Sequence, residues 1–474
     1  MLQKSTLQTI LVTAGAEKIR LKTNSPSRHR RWPRFVSIAF ILLIITIALI
    51  AAVTPGLLPA SLGVDDNIKK VAAAVIFVGS YLALAIGKVP GLNIDRAGVA
   101  LVGAGLMVAS GALSLEDAYK AVDIGTITLL LGMMILVASL RLSGFFVIAT
   151  TWIMVHAKKP VILLCAITAT SGIFSAFLVN DAICLVLTPL VLELTHRMGR
   201  NPVPYLLAVA MASNVGSTAT ITGNPQNIMI GSFSHIPYTK FALALGPVAL
   251  IGLLITMGLV ALFYRKEFFG TEHLVVVKPN MRINRVLVVR ALLATAVMIA
   301  LFFAGQPPAK AAIIIGGLLL LTRRVKSKRI YAEIDWSLLL MFAGLFIIVA
   351  GAQRMLLTPD LVAAVSHLHL NQVPILSAVT SVLSNLVSNV PAVLIIKPFV
   401  ESLANHDTAW LTIAMSSTLA GNFTILGSIA NLIVVQKAAE HGVKISFWDY
   451  FRVGAPLTAI TLVIGTVWMW LTPP

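Results

Sequence analysis

Apolar stretches long enough to cross the hydrocarbon core of a membrane recur along this 474-residue chain from Val36 onwards. A membrane-crossing helix needs about 20 predominantly apolar residues, whereas the strands of a membrane barrel would give short alternating segments. Hydrophobic residues make up 58% of the sequence and charged residues 11%, against roughly 25% charged residues in soluble domains. The sequence therefore predicts an all-α polytopic membrane protein.

Basic clusters between the apolar stretches account for the formal net charge of +18. The strongest clusters lie at 28–34, 265–290 and 323–329. Loops rich in Lys and Arg stay on the cytoplasmic side of a membrane, so we interpret the charge as a topology signal and expect no nucleic-acid partner. The chain is predicted to be a multi-pass protein of the inner (plasma) membrane of the cell, held in the lipid bilayer with its N-terminus in the cytoplasm.

Placing the basic clusters in the cytoplasm predicts about eleven transmembrane helices and two re-entrant hairpins. The hairpin tips are expected near Asn180-Asp181 and Ser388-Asn389, and the span over 125–155 is expected to bend near Ser143-Gly144. The predicted units follow one another along the chain: a basic cytoplasmic tail or targeting segment at 1–35, an extra transmembrane helix at 36–60, a first repeat at 71–264 with a hairpin at 160–197, a basic cytoplasmic loop at 265–286, and a second repeat at 287–472 with a hairpin at 372–404.

The two predicted repeats carry matching motifs. MASNVGSTATITGNPQNI begins at Met211 and MSSTLAGNFTILGSIANL begins at Met415. Without a gap, this alignment pairs Ser213 with Ser417, Thr220 with Thr424, Gly223 with Gly427, and Asn227 with Asn431. Elsewhere 180–189 matches 389–398, Gly132 matches Gly344, and Gly103 matches Gly316. Because the predicted topology reverses the second unit, the repeat is inverted, as in many secondary transporters that bind their substrate at the repeat interface.

Each repeat interrupts an apolar helix with polar residues, at Thr222-Gly223-Asn224-Pro225 and at 424–428. Irregular backbone at membrane depth is tolerated only where protein or a water-filled cavity satisfies it, although one such break alone is also typical of a packing kink. Helix N-termini attract anions, whereas carbonyl ends and hydroxyls suit cations. We therefore predict one site, built from both breaks and both hairpin tips, that holds an anion without arginine or holds Na⁺.

Charged residues inside the apolar stretches are few. Asp181 at the first tip is the candidate for coupling to a proton or cation, because charge at membrane depth is costly and commonly functional; the alternative is a helix-capping carboxylate. Lys397 either neutralises a bound anion or extends its amine to the membrane surface. Arg141 and Arg354 are interpreted as interfacial anchors, and Glu193 as the partner of a neighbouring cation.

Signatures of catalysis are missing from the sequence. It contains no His/Glu pair with metal-ligand spacing, no G-x-S-x-G motif and no Walker loop. We therefore expect no enzyme activity, no cofactor and no metal other than Na⁺, with Na⁺ or H⁺ as the coupling ion. Without an ATP-binding motif, transport would depend on an ion gradient or on a separate subunit.

At these motifs the sequence resembles the ion transporter superfamily, which includes divalent-anion/Na⁺ symporters, citrate permeases, Na⁺/H⁺ antiporters of the NhaD type and arsenite permeases of the ArsB type. The resemblance covers about residues 70–472 and rests on SAFLVNDAICLVLTPLV, ASNVGSTATITGNPQNIMIG, SNLVSNVPAVLIIKP and GNFTILGSIANLIVVQKA. It implies an elevator-type carrier that forms a homodimer. It also marks the following residues as substrate or ion contacts: Asn180, Asp181, Ser213, Asn214, Thr222, Gly223, Asn224, Asn227, Ser388, Asn389, Gly427, Ser428 and Asn431.

Two departures from the family pattern bear on the function. Dicarboxylate symporters have Ser-Asn-Thr at both tips, whereas this chain has Val179-Asn180-Asp181 and Ser388-Asn389-Val390. Antiporters of the NhaD type tend to have Asp-Asn at the second tip, where this chain has Ser388 before Asn389. We predict an ion-gradient-driven secondary transporter, or permease, for small anions. The alternatives are a Na⁺/H⁺ antiporter, an arsenite efflux permease that works with a separate ATPase, and a channel.

Overall fold

The computed structural model describes residues 66–86, 94–269, 285–321, 325–358, 365, 367–401 and 403–472. The predicted tail at 1–35, the predicted span at 36–60 and most of the predicted loop at 265–286 lie outside these residues. All regular structure in the described ranges is helical, and no strand occurs in them. The predicted all-α fold class is therefore confirmed.

The helices before residue 270 include two that meet at the first hairpin tip and two that flank the first polar break. Their bounds are Asp66–Ile86 (α1), Arg96–Ala109 (α2), Leu115–Ala121 (α3), Ile124–Ser143 (α4), Phe145–His156 (α5), Pro160–Leu178 (α6), Asn180–Arg197 (α7), Pro202–Ser217 (α8), Pro225–Ser234 (α9), Tyr238–Phe263 (α10) and Arg265–Phe268 (α11). Helices α6 and α7 form the first hairpin, and the chain between α8 and α9 is the first break.

The helices after residue 284 follow the same order. Their bounds are Arg285–Phe303 (α12), Pro308–Leu320 (α13), Ser327–Tyr331 (α14), Trp336–Leu356 (α15), Val373–Val387 (α16), Asn389–Val400 (α17), His406–Ala420 (α18), Ile429–Glu440 (α19) and Phe447–Leu471 (α20), with a 3₁₀ turn at Ile425–Gly427. Helices α16 and α17 form the second hairpin, and the 3₁₀ turn lies in the second break, between α18 and α19.

Seven of the described helices are long and apolar enough to cross a membrane. They are α1, α4, α6, α10, α12, α15 and α20, with mean hydropathies from 1.4 to 2.6. The predicted span over 125–155 is two helices, because Gly144 adopts a left-handed conformation (φ 86°) and ends α4. The short helices α3, α11 and α14 were not predicted, since four to seven residues are too few to show a period.

Two helix crossings join the halves of the chain, and both depend on glycine. A Cβ on Gly132 of α4 would lie 2.6 Å from the backbone of Ala312 in α13. A Cβ on Gly344 of α15 would lie 2.6 Å from the backbone of Ala100 in α2. Small residues let helix backbones approach closely inside a membrane. Because the repeat alignment pairs Gly132 with Gly344, the two crossings are equivalent, and we call these four helices the scaffold.

Ion pairs at the ends of the scaffold fix its directions. Arg141, near the C-terminal end of α4, pairs with Glu333 just before α15 begins. Arg354, near the C-terminal end of α15, pairs with Asp117 of α3 just before α4 begins. Helices α4 and α15 are therefore antiparallel, and because they are equivalent, the repeat is inverted as predicted. Exposed pairs of this kind contribute about 0–1 kcal/mol each, so the glycine crossings matter more for stability.

The scaffold crossing gives a direct prediction for Gly132→Leu. The new side chain would meet the backbone of Ala312, which cannot move aside, so we expect a loss of about 3 kcal/mol, at the upper end for overpacking. The midpoint of thermal aggregation of the detergent-purified protein measures this loss. Gly317→Leu on α13 is the matched control, because a Cβ there meets no atom within 4 Å. Equal stability of the two variants would contradict the crossing.

Candidate functional site

Both hairpin tips hold a non-glycine residue in a left-handed conformation. Val179 has φ 64° between α6 and α7, and Ser388 has φ 80° between α16 and α17. These residues are equivalent in the repeat alignment. Such conformations cost about 1–3 kcal/mol each and commonly occur at functional sites. At the first tip, a hydrogen bond helps to hold this conformation: Asn180 N donates to Gly223 O in the first break at 2.8 Å.

Both polar breaks end in a capped helix. The Asn224 side chain accepts from Asn227 N (2.8 Å) and begins α9, with Pro225 at the first helical position as predicted. In the second repeat the Ser428 side chain accepts from Ala430 N (3.2 Å) and begins α19. A cap of this kind is worth about 1 kcal/mol. Each restarted helix therefore begins at a stabilised N-terminus that is buried inside the protein.

Asn227 and Asn431 close the two breaks in the same way. Asn227 Nδ2 donates to Ser217 O (3.1 Å) and to Thr220 O (3.0 Å). Asn431 Nδ2 donates to Gly421 O (2.7 Å) and to Thr424 O (3.1 Å), the equivalent carbonyls of the second repeat. Ser217 O and Gly421 O have lost their helical partners because the helix is broken, whereas Thr220 O and Thr424 O also accept from the backbone N–H of Gly223 (3.3 Å) and Gly427 (3.1 Å). One buried amide in each repeat therefore satisfies the last turn before the break.

The two breaks also exchange hydrogen bonds across the repeat interface. Asn214 Nδ2 donates to Asn431 Oδ1 at 3.0 Å, while Ser428 Oγ donates to Asn214 Oδ1 at 3.1 Å. On the other side, Thr418 Oγ1 donates to Asn227 Oδ1 at 3.5 Å. Asn214 and Thr418 are equivalent positions, and all five side chains are at most 4% exposed. We call this set the central amide network; it makes each break depend on the opposite repeat.

The hairpin tips form hydrogen bonds with the central amide network and with the breaks. Asn180 Nδ2 donates to Asn214 Oδ1 at 3.0 Å. In the orientation that satisfies both polar atoms of its amide, Asn389 donates to Gly427 O (3.2 Å) and accepts from Gln226 Nε2 (3.1 Å). Each tip therefore touches the break of its own repeat, and the second tip also contacts α9 of the first repeat.

A cleft that is partly open to solvent lies between this assembly and the scaffold side. One wall consists of the first residues of four helices, together with the residues that precede two of them: Asn180 and Asp181 of α7, Pro225 and Gln226 of α9, Ser388 to Pro391 at α17, and Ser428 and Ile429 at α19. The other wall is Leu84, Arg96, Leu338, Met341, Phe342 and Leu345. The N-terminus of a helix carries roughly half a positive elementary charge, so four of them make the cleft electropositive.

All but one of the expected contact residues fall into two groups. Five of them line the cleft: Asn180, Asp181, Ser388, Asn389 and Ser428. The others lie behind it, where Ser213, Asn214, Gly223, Asn224, Asn227, Gly427 and Asn431 build the breaks and the central amide network. Thr222 points elsewhere, to Tyr238 OH at 2.8 Å. Whether each residue contacts substrate or ion stays a prediction.

Arg96 is a lining residue that the sequence reading did not identify. The predicted span began at 97, and the site was expected to contain no arginine. In the structure Asp95 caps Gly98 N at 2.8 Å and begins α2, so Arg96 is the first helical residue and lies half-buried in the cleft wall. Among the described side chains, none accepts a hydrogen bond from Arg96, and the carboxylate that interacts with its charge is Asp181, which lines the same cleft. The local signal was the cap Asp95 ahead of a Gly-rich apolar run.

Asp181 lies where the cleft meets a second cavity. That cavity is lined by Arg141, Glu333, Asp335 and by apolar residues of α4 and α7. The Asp181 carboxylate caps no N–H of α7, so the capping alternative is not found. Asp181 is half-buried and borders both cavities, so its carboxylate can interact with an ion or a solute in either of them.

The other charged residues of the predicted spans lie away from the cleft. The Lys397 amine sits 3.9 Å from the centre of the Phe233 ring and does not line the cleft. Glu193 pairs with Arg197 at 2.6 Å, as predicted. Within the described ranges, no group of three or more His, Cys, Asp or Glu side chains could hold a metal ion.

The closing role of Asn227 and Asn431 predicts equal damage from Asn227→Ala and Asn431→Ala. Each change removes both hydrogen bonds that the buried amide donates to the carbonyls of its break, so we expect each to cost about 2–4 kcal/mol and to abolish transport. Thermal unfolding and transport in liposomes measure the two effects. Asn201→Ala, which removes an amide from an exposed helix start, is the control and should retain transport. Normal transport by both buried variants would contradict this role.

Several known proteins are similar to this chain in sequence or in fold. A family model described as citrate transporter (CitMHS) matches residues 81–420. An uncharacterized transporter of Mycobacterium tuberculosis is 29% identical over 423 residues, which is 84% of this chain and 98% of the relative. The silicon efflux transporter LSI3 of Oryza sativa subsp. japonica is 28% identical over 472 residues (84% and 97%). The putative transporter arsB of Dictyostelium discoideum is 24% identical over 523 residues (85% and 92%).

A solved structure supports the fold. The YdaH transporter of Alcanivorax borkumensis, described as having an unusual topology, aligns with a TM-score of 0.55 at 13% identity, over 85% of this chain and 98% of that one. At this identity the likeness concerns the fold alone. Because the family model covers well over half of the sequence, the chain belongs to the citrate transporter family and is a membrane transporter.

Proposed function

We propose that this chain is an ion-gradient-driven secondary transporter that carries small anions. The observation that carries the proposal is the convergence of four helix N-termini and Arg96 on one cleft. Helix N-termini bind anions through their unpaired N–H groups and their dipole. The one carboxylate in the lining, Asp181, leaves the wall with a positive balance once Arg96 and the helix dipoles are counted.

An elevator-type movement accounts for the two different walls of the cleft. The polar wall belongs to the hairpins and broken helices, whereas the other wall is largely apolar and includes Leu338, Met341 and Phe342 of scaffold helix α15. In this proposal the hairpins and breaks carry the anion as one unit past the scaffold. An apolar scaffold surface favours sliding, because it offers few hydrogen bonds that would have to break. Assembly as a homodimer stays part of the proposal.

A second candidate is the export of uncharged metalloid hydroxides. It is supported by the relatives whose names are silicon efflux transporter and arsB. The amide and hydroxyl groups of Gln226, Ser388 and Ser428 in the cleft wall could hydrogen-bond to such hydroxides without any charge on the solute. In this case a separate ATPase or an ion gradient would supply the energy.

Transport by the purified protein in liposomes tests the proposal. Sulfate, phosphate, citrate and dicarboxylates are offered with and without Na⁺ at two pH values, and currents are recorded on a solid-supported membrane. Arsenite and silicic acid are followed by their uptake, since they carry no charge near neutral pH. A saturable signal from one anion supports the proposal. Silence to every anion, with a response to Na⁺ under a pH gradient, would identify a Na⁺/H⁺ antiporter instead.

The variant Arg96→Gln separates the two candidates. For an anionic substrate, loss of this cation should raise the apparent KM at least tenfold, since a charge-assisted hydrogen bond is worth about 1.5–3 kcal/mol. For an uncharged hydroxide the KM should change less than threefold. Lys310→Gln is the matched control, because Lys310 is an exposed cation at the start of α13, outside the cleft lining. An unchanged KM for an anion would show that Arg96 does not bind the substrate.

The variant Asp181→Asn tests coupling. The change removes the titratable charge at the tip and keeps the size of the side chain, so transport should lose its dependence on pH or Na⁺ before it loses substrate binding. Initial rates measured across pH 5–8, with and without Na⁺, give the comparison. If the dependence of the variant equals that of the wild type, Asp181 is not the coupling residue.

A further inference from the structure

Hydroxyl side chains line the contact between α16 and α18, the first arm of the second hairpin and the first half of the second broken helix. We call this contact the repeat-2 seam, and its hydroxyls are Ser377, Thr380, Ser381 and Ser384 of α16 and Thr408, Thr412 and Ser416 of α18. Ser416 Oγ donates to Ser377 Oγ at 2.9 Å, which shows that these two faces meet. The α18 members recur every fourth residue and so lie on one side of that helix.

Four hydroxyls of the repeat-2 seam have no hydrogen-bond partner among the residues that the structure describes. They belong to Thr380, Ser381, Thr408 and Thr412, whose residues are 0, 9, 7 and 0% exposed. A buried hydroxyl without a partner is unfavourable, and it is more so in a membrane, where lipid cannot supply one. Their number and their common interface point to a ligand that bonds to several hydroxyls.

The first repeat shows that the fold does not require the hydroxyls of α18. Helices α6 and α8 are the equivalents of α16 and α18. The positions equivalent to Thr408, Thr412 and Ser416 are Pro204, Ala208 and Ala212, which have no side-chain donor or acceptor. The α16 side of the seam does have counterparts, because Thr168, Ser171 and Ser175 of α6 are equivalent to Ser377, Thr380 and Ser384. The hydroxyls of Thr168 and Ser171 also lack a partner among the described residues. The two halves therefore differ in the α18 stripe, and that stripe is a property of the second repeat.

The two helix pairs also differ in how closely they can pack. In the first repeat a Cβ on Gly216 would lie 2.2 Å from Gly172 O, so α6 and α8 touch through their backbones. The equivalent residues of the second repeat are Ser381 and Ala420, which both carry a Cβ. Helices with such side chains at the crossing stand further apart than helices with two glycines. The backbones of the repeat-2 seam therefore stand further apart than those of its counterpart, and side chains with hydroxyl groups lie between them.

We propose that the repeat-2 seam binds a file of water molecules and serves as a route for the coupling ion that is separate from the substrate cleft. Buried water needs two to four polar partners and a site large enough to hold it, and hydroxyls both donate and accept. At the inner end, Ser384 Oγ lies 2.6 Å from the Asn389 amide, which in turn accepts from Gln226 in the cleft wall. The outer end is Thr408, in the first turn of α18. The role as an ion route rests on the proposed function; the binding of water does not.

Cysteine accessibility tests the water file directly. Thr380→Cys and Thr412→Cys are placed in the wild-type protein in nanodiscs, where both membrane faces are open, and reacted with a small hydrophilic methanethiosulfonate. Adducts are counted by intact mass. The adducts that the wild-type protein forms at its native Cys165 and Cys184 are subtracted from this count. Ala208→Cys, at the equivalent of Thr412, is the matched control. We expect both seam cysteines to react at least tenfold faster than the control; rates equal to the control would overturn the proposal.

Thermal stability gives a second test that needs no labelling. In a dry seam, Thr380→Val and Thr412→Val would replace an unpartnered hydroxyl with a methyl group, and the melting temperature would stay equal or rise. In a seam that binds water, each change removes hydrogen bonds, and the melting temperature should fall. Ala208→Val reports the effect of added volume at the equivalent position of the first repeat. A rise in both seam variants would contradict bound water.

The double variant Thr380→Val/Thr412→Val tests the ion route. Ion-driven accumulation of the transported solute should fall at least tenfold, whereas solute exchange with equal ion concentrations on both sides should change less than twofold, because neither residue lines the cleft. Unchanged accumulation would overturn the ion route. The labelling and melting experiments need no substrate, so they decide on the water file even if no anion is transported and the proposed function fails.

Discussion

Every polar backbone group within a membrane needs a partner inside the protein or in a water-filled cavity, and the rest of this structure depends on how two broken helices meet that requirement. A break in a helix frees carbonyls before it and N–H groups after it. Asn227 and Asn431 satisfy the carbonyls on one side of each break, and the caps Asn224 and Ser428 satisfy the first N–H groups on the other. The first residues of both restarted helices line the cleft, and this makes the breaks useful for binding.

The inverted repeat turns two such breaks into one site. Asn214 of the first half holds Asn431 of the second, while Thr418 of the second half holds Asn227 of the first. Neither break is complete without the opposite half, so the hairpins and broken helices are expected to move together as one body. The scaffold follows the same symmetry, with one glycine of each half pressed against the backbone of the other. The α18 side of the repeat-2 seam departs from the symmetry, as does Asp181, whose equivalent is Val390.

The sequence predicted the features that place polar residues where apolar ones are expected. The break at Gly223-Asn224-Pro225, the tips beside Asn180 and Asn389, and the match of Gly132 with Gly344 were all found at or within one residue of the predicted place. It did not predict Arg96 in the cleft. A residue becomes part of a lining through the rotation of its helix and through neighbours from the other repeat, and neither is visible in local sequence. For the same reason the unpartnered hydroxyls of the repeat-2 seam looked like ordinary small residues of an apolar helix.

The most direct measurement for the central claim, that the cleft formed by four helix N-termini is the substrate site, is a cryo-electron-microscopy map of the protein with a saturating concentration of the transported solute. The account predicts density for the solute between Gln226, Ser388 and Ser428 on one side and Arg96 on the other. Solute density elsewhere in the molecule, with this cleft unchanged from the map without solute, would contradict it.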